Sequence, residues 1–405
     1  MGHPSSILMG RTDRRNAILR DRTHPAVCYP QGETAMEDTT RLVRAGLPEP
    51  PAKLAPGEPV HSGPVFASAF AVPGAIDDAP YTYARFHNPT WDKLEHALGA
   101  LEGGTARIFP SGMAAITAVF AALLHPGDIA VLPEDSYHAT RTLTREFFAT
   151  IGIEIRLAPT ANNAQENVLE GAKLLWLETP SNPRMELCDI GRLAEAAHRC
   201  GALVAVDNTT PTALGQRPLA LGADISVASD TKSLTGHSDL LLGHVAARDP
   251  ELIAKIDRWR MLSGSIMGPM EAWLALRSLS TLPLRLERQC ENALAIAEFL
   301  ERRKGVGAVY YPGLPSHPAH ALAKRQMRFF GPVVSFELAD REAAEHFLKR
   351  SQLLVEATSF GGITSSAERR ARWGADTVSE GFIRLSAGCE AIADLLADLD
   401  QALGA

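Results

Sequence analysis

Lys232 follows two hydroxyl residues in Ser229-Asp230-Thr231-Lys232, and upstream an aspartate closes the apolar run of Val204-Ala205-Val206-Asp207-Asn208-Thr209. A lysine just past one strand end and a carboxylate at the end of the strand before it suit one chemistry. The amine can condense with an aldehyde, and the carboxylate can keep a pyridine nitrogen protonated so that the ring takes up charge from a substrate carbanion, as pyridoxal phosphate requires. Ser229 and Thr231 offer hydroxyls to a phosphate. Phe109-Pro110-Ser111-Gly112-Met113-Ala114 adds a hydroxyl and a glycine where a loop enters a helix, and the amides there attract anions. In Glu178-Thr179-Pro180-Ser181-Asn182-Pro183, Asn182 can project from a sheet edge and donate to the cofactor's phenolic oxygen. Arg384, in Ile383-Arg384-Leu385-Ser386, offers a fork matched to an α-carboxylate.

These side chains need elements that converge, and the sequence predicts them. Helical spacing runs over 91–101, an alanine-rich helix over 111–124 and a further helix over 190–199. Short apolar strands are expected at 129–132, 174–177, 203–206, 225–227 and 240–245. Continuous apolar strands separated by amphipathic helices imply an α/β fold with a mostly parallel sheet covered on both faces, and ligands then bind beyond the carboxyl ends of the strands. Long helices over 270–282 and 284–303, broken around Pro283, read as a connecting spine. Strands at 333–338 and 382–386 with helices at 341–350 and 390–403 form a smaller α+β unit. The expected organisation is a tail and extended arm over 1–82, a large domain over 83–284 and a small C-terminal domain over 285–405.

Composition narrows the partners. With 45% hydrophobic residues, 405 residues can fill one large core and a second smaller one. A net charge of -7 leaves no basic footprint for nucleic acid, and no apolar run is long enough to span a membrane. The five cysteines, Cys28, Cys188, Cys200, Cys290 and Cys389, are widely spaced, which points to a reducing, cytoplasmic setting and away from a metal site. Cys188 and Cys200, flanking a helix, are expected to pack in apolar surroundings, and His237 to structure its loop. The arginine-bearing first residues lack an apolar core for a secretory signal, and Met1-Gly2 with Ser6 fits a myristoylation pattern without a second membrane signal, so a mobile tail is expected. Six prolines between 48 and 64 predict an extended arm lying over another surface.

From Tyr83 onward the chain resembles the cysteine and methionine metabolism family of pyridoxal-phosphate enzymes, which includes the cystathionine gamma-synthases, the cystathionine beta- and gamma-lyases and the methionine gamma-lyases. The resemblance rests on ordered motifs: Tyr83-Ala84-Arg85 with Asn88-Pro89-Thr90, Ser111-Gly112-Met113, Pro180-Ser181-Asn182-Pro183, Val206-Asp207-Asn208-Thr209, Thr231-Lys232, Gly236-His237-Ser238-Asp239, Ser359-Phe360-Gly361-Gly362 and Arg384-Leu385-Ser386. It implies the type I, aspartate aminotransferase-like fold. Lys232 becomes the cofactor-binding and proton-transfer lysine and Asp207 the ring-nitrogen partner. Gly112, Met113, Ser229 and Thr231 hold the phosphate, joined by Tyr83 and Arg85 from an adjacent subunit of a homotetramer built as a dimer of dimers. Tyr137 stacks on the ring and assists proton transfer, while Arg384, Asn182 and the backbone near Ser359 hold the substrate carboxylate.

The resemblance most favours a cystathionine gamma-lyase, with gamma-synthase, methionine gamma-lyase and a specialised gamma-substitution enzyme as alternatives. A cofactor-binding scaffold without activity is the alternative of another class. Thr358 stands where gamma-lyases and gamma-synthases of the family carry a glutamate that reads a distal ammonium. His138-Ala139 after Tyr137 leaves out the cysteine of methionine gamma-lyases, and Ser233 replaces the usual tyrosine after the lysine. Arg369, Arg370 and Arg372 in the atypical segment 363–373 are expected on a solvated helix face, with attraction of an anionic substrate as the alternative.

Overall fold

The structure is a computed structural model, and it describes residues 36–48 and 50–404. The readings made above for residues 1–35, Cys28 included, lie outside the described residues. A short helix α1 (Asp38–Val43) opens the described chain, and α2 (Pro89–Glu102) begins where Asn88 caps the Thr90 amide and Pro89 fits the first turn. Between them the arm has little regular structure. It is fastened to its own chain by Trp273 donating to the Ser62 carbonyl and by the Val65 amide donating to Thr90.

Seven strands make the large sheet: β1 (Thr105–Phe109), β2 (Ile129–Pro133), β3 (Glu154–Ala158), β4 (Leu174–Glu178), β5 (Leu203–Asp207), β6 (Ile225–Ala228) and β7 (Gly243–Ala247), in the order β1-β7-β6-β5-β4-β2-β3. The pairs from β3 to β6 are parallel, and β7 runs antiparallel to both β6 and β1. Helices α3 (Gly112–Leu123), α4 (His138–Leu143), α5 (Ile190–Arg199) and the single turn α6 (Thr212–Gly215) lie among these strands in sequence, and α7 (Pro250–Ser263) follows the last of them. Burial on both faces explains the mainly apolar strands: every residue of β4 and β7 is buried, Glu178 and His244 included.

Two helices follow, α8 (Pro269–Leu279) and α9 (Leu282–Arg302). The break falls at Ser280-Thr281, before the proline expected to cause it, because Pro283 fits without cost in the first turn of α9. Along α9, Leu282, Leu286 and Cys290 pack in the core beneath α2, whereas Ala293, Ile296, Ala297 and Leu300 pack in a second core. We propose the division near residue 285 in the first turn of this shared helix, with the apolar contacts changing hands between Cys290 and Ala293.

The second core lies against a five-stranded sheet of β8 (Val309–Tyr310), β9 (Val333–Glu337), β10 (Val355–Glu356), β11 (Ser366–Arg369) and β12 (Phe382–Ser386), ordered β10-β11-β12-β9-β8. With it go α10 (His320–Gln326), α11 (Arg341–Arg350) and α12 (Ile392–Leu403). Segment 366–373 is strand β11 followed by a tight turn, with Arg369 and Arg370 buried, so the solvated helix face expected there is corrected. Both arginines are buried against carboxylates: Arg369, ending β11, meets Glu380, and Arg370, opening the turn, meets Glu368 and Asp376. Cys200 is also corrected. It is exposed because it caps α5 one residue past the last helical position, whereas Cys188 is buried as expected. His237 does brace its loop, donating from Nδ1 to the Thr235 carbonyl at 2.6 Å.

Candidate active site

The carboxyl ends of three neighbouring strands fix the floor of the site. In register, Glu178 ending β4 sits beside Asp207 ending β5, and Asp207 sits beside Val227 of β6, after which the chain turns through Ser229 to Lys232. A cavity of about 330 Å³ opens there, within the range for small-molecule sites. The loops of the large sheet contribute Ser111, Gly112, Met113, Tyr137, Asn182 and Asp207 to its wall. The turn after β6 adds Ser229, Thr231 and Lys232, and the small sheet's side adds Thr358, Ser359 and Arg384.

One wall has the form of an anion cradle. Ser111 caps α3 by accepting from the Ala114 amide at 3.1 Å, which leaves the Gly112 and Met113 amides in the first turn without helical acceptors. A Cβ on Gly112 would lie 2.5 Å from the Ser229 Cβ, so only glycine lets the helix start approach the lysine turn. The Thr231 hydroxyl already bonds Leu242, donating to its carbonyl at 3.2 Å and accepting from its amide at 3.0 Å; here it shapes the turn. These amides and hydroxyls fit a phosphate. The Asp207 carboxylate, held at Oδ1 by the Thr209 amide and hydroxyl, fits a protonated ring nitrogen. Burial pushes that carboxyl up while Thr209 and Lys232 pull it down. A ring cation beside it would pull in the same direction as Lys232.

The Lys232 amine is lowered to about 8, first by burial and then by the Arg384 charge. It donates to the Ser359 hydroxyl at 2.6 Å. Ser359 adopts a φ of 79°, a left-handed backbone rarely used outside glycine, and so turns its carbonyl to Arg384 at 2.9 Å while its hydroxyl faces the lysine. Arg384 is 4% exposed, donates to Asn182 Oδ1 at 2.9 Å, and is lowered to about 10 by burial and by Arg370. Asn182 and Ser359 thus orient the guanidinium. Phe360 packs under both cations, its ring centre 5.2 Å from Lys232 Nζ and 5.4 Å from the Arg384 guanidinium carbon.

Sequence reasoning passed over two carboxylates. Glu178 accepts from the Tyr137 amide at 2.6 Å and the Asn182 amide at 3.0 Å, tying two loops to one strand end. Burial and the neighbouring Asp207 push its carboxyl well up. The signal was its position, since it closes β4 as Asp207 closes β5. Glu368 accepts from Arg384 at 2.5 Å, Arg370 at 2.8 Å, Arg372 at 3.2 Å and the Trp373 indole at 2.8 Å. Burial opposes its charge, but Arg384, Trp373 and Arg370 outweigh that and hold the carboxyl below its usual range. Arg370 and Trp373 therefore line the cavity as well.

Tyr83 and Arg85 are not brought into this cavity by their own chain. Tyr83 is nearly half exposed, and Arg85 lies against the Tyr83 and Phe86 rings while donating to the Met261 carbonyl at 2.8 Å. The Tyr137 ring stands edge-on to His138, with burial raising the phenol.

A partly buried lysine and a buried aspartate at the carboxyl edge of a type I sheet, with a phosphate cradle beside them, define a pyridoxal 5'-phosphate enzyme. Residues 39–404 match the family described as Cys/Met metabolism PLP-dependent enzyme, and the chain belongs to that family. A Streptomyces coelicolor protein provisionally named cystathionine gamma-lyase is 56% identical over 375 residues, 91% of this chain and 94% of its own length. The cystathionine gamma-synthase of Mycobacterium bovis is 40% identical over 90% of this chain and 96% of its own. The crystal structure of cystathionine gamma synthase from Xanthomonas oryzae pv. oryzae, in complex with aminoacrylate and cysteine, superposes with a TM-score of 0.86 at 38% identity, covering 91% of this chain and 98% of that one. The chain is a pyridoxal-phosphate-dependent trans-sulfuration enzyme acting on a small amino-acid substrate.

Proposed function

We propose that the reaction is γ-elimination at a sulfur amino acid, with L-cystathionine and one water giving cysteine, 2-oxobutyrate and ammonia. The observation that carries this reading is Ser359 holding Lys232 and Arg384 at once, which puts a base of lowered pKa beside a carboxylate anchor. When bound, the cofactor supplies an aldehyde for amines and a ring that stabilises negative charge at the carbon bearing the substrate nitrogen. Lys232 holds the cofactor at rest and then, as a free amine, takes the proton from the substrate α-carbon and passes protons along the adjoining carbons. Asp207 keeps the ring nitrogen protonated. Gly112, Met113, Ser229 and Thr231 hold the phosphate, Asn182 donates to the ring's phenolic oxygen, and Tyr137 covers the ring. Arg384 holds the α-carboxylate, and the walls of the cavity exclude water around the reacting carbons. The relative at 56% identity, through its name, favours elimination over the replacement named for the Mycobacterium protein.

Product analysis with L-cystathionine, O-acylhomoserine plus cysteine, and L-methionine tested side by side decides the matter. The expected result is 2-oxobutyrate and cysteine from cystathionine as the fastest reaction. Faster formation of cystathionine from the acylhomoserine would replace this reading by gamma-synthase, and faster release of methanethiol by methionine gamma-lyase.

Thr358 bears on the choice of substrate. A carboxylate at this wall position, facing a desolvated substrate ammonium, contributes about 1.5 to 3 kcal/mol, or roughly tenfold to hundredfold in preference. Thr358→Glu is therefore expected to raise kcat/KM for L-cystathionine relative to substrates without the distal amine. Unchanged ratios in a folded, cofactor-loaded variant would remove Thr358 from the discriminating position.

We further propose a cytoplasmic homotetramer in which Tyr83 and Arg85 complete the phosphate site of a neighbouring subunit, a reading supported by their position outside their own cavity. Mixing inactive Arg85→Ala with inactive Lys232→Ala chains then regenerates intact sites in hybrid oligomers. Recovery of no activity despite subunit exchange would exclude sharing.

A further inference from the structure

Beneath the lysine turn lies a cluster of ionisable groups that the reaction does not use. His244 on β7 is 1% exposed, and both of its ring nitrogens meet carboxylates: Nδ1 is 2.8 Å from Asp230 Oδ2, and Nε2 is 3.0 Å from Glu102 Oε1. Asp230 and Glu102 are themselves buried, Glu102 at the last residue of α2. Burial alone would discharge the imidazole, but the two carboxylates hold it protonated, pushed up to about 10. An ion triad out of water costs more than apolar side chains of the same volume unless every partner is well placed, and the second Glu102 oxygen has no partner among the described residues.

Its place in the chain gives the triad a use. Ser229 and Thr231 line the cavity, whereas the carboxylate of Asp230 between them, at the start of the turn, bonds His244. His244 sits opposite Ala228 in the β6–β7 register, directly before this turn. The Asp230 carbonyl also accepts from the Thr235 amide and hydroxyl, both at 3.0 Å, closing the loop that contains Lys232. Asp230 is thereby pinned by its side chain below and its backbone ahead. Resting on the assignment of Lys232, Ser229 and Thr231 to the cofactor, we propose that Asp230, His244 and Glu102 are positioning residues: an ionic clamp that joins the lysine turn to β7 and α2 and fixes where the phosphate hydroxyls and the lysine amine stand.

Titrating apoenzyme with pyridoxal 5'-phosphate, following the visible absorbance of the lysine-bound cofactor, tests the clamp without measuring turnover. Asp230→Ala and His244→Ala are each expected to raise the Kd about tenfold to a hundredfold, as for residues that orient binding groups. The double variant should be no worse than either single one, because the pair acts as a unit, and Asp230→Asn, which keeps an acceptor for His244, should recover most of the affinity. An unchanged Kd with only a lower apoenzyme Tm, or additive losses in the double variant, would overturn the clamp. Should the alanine variants not fold, His244→Gln keeps a donor toward one carboxylate only, and an unchanged Kd there overturns it equally. Borohydride trapping separates the two assignments. Cofactor still trapped in Lys232→Ala refutes the lysine, whereas loss of the adduct in Lys232→Ala with a normal Kd in Asp230→Ala refutes the clamp alone.

Discussion

Lys232→Ala is expected to lose the covalently held cofactor and to lower kcat by about a thousandfold or more, within the range for removing a positioned acid–base group. Borohydride reduction of the wild-type protein followed by peptide mapping should place the label at Lys232, and a label on another lysine refutes the assignment. The amine's environment adds a pH signature. Capture of the aldehyde requires a neutral amine, and burial with the Arg384 charge lowers this one from 10.5 to about 8. The rate of cofactor capture by apoenzyme should therefore rise with pH through about 8 and level off well before an ordinary lysine would titrate. A rise that continues to the ordinary lysine range would show that the amine is solvated in the apoenzyme.

Removing Arg384 should produce the largest effect on substrate binding. Truncating one partner of a buried, hydrogen-bonded charge pair costs about 2 to 5 kcal/mol, so Arg384→Ala is expected to reduce kcat/KM by roughly thirtyfold to several thousandfold. The loss should appear chiefly in KM, with cofactor absorbance retained, since no cofactor group is assigned to Arg384. Arg384→Lys should recover little, because a point charge does not reproduce the fork held between Asn182 and Ser359. The same substitution to alanine removes a cation from beside Lys232 and leaves Glu368, which raises the amine's pKa, so cofactor capture should shift to higher pH. An unchanged KM would move the carboxylate site to another cation of the cavity, and Arg370 is the candidate.

Local pattern along the chain was enough for most of the large sheet and for the chemistry of the floor. Strands buried on both faces are mainly apolar, so β2, β4, β5 and β6 were legible as short apolar runs, and an aspartate closing β5 with a lysine in the turn after β6 announced the cofactor. Strand β7 begins three residues later and ends two later than expected, because Leu240, Leu241 and Leu242 look like strand but pass beside the lysine turn, where Leu242 bonds Thr231. Strands β1, β3 and β11 were missed. Thr105–Phe109, Glu154–Ala158 and Ser366–Arg369 carry charged residues, and a charged strand resembles surface until its partners are known.

Pairings between residues distant in the chain became visible only in the folded molecule. Glu368 and Arg384 are adjacent in the β11–β12 register, and that pairing turned a presumed solvated arginine run into part of the cavity wall. His244, Asp230 and Glu102 are unremarkable in a string of letters, because a buried ionisable group has meaning only through the partner that permits its burial. Spacing can reveal which residues share a strand end. Which carboxylate faces which cation is fixed by register and by the approach of two sheets, and no local pattern encodes it.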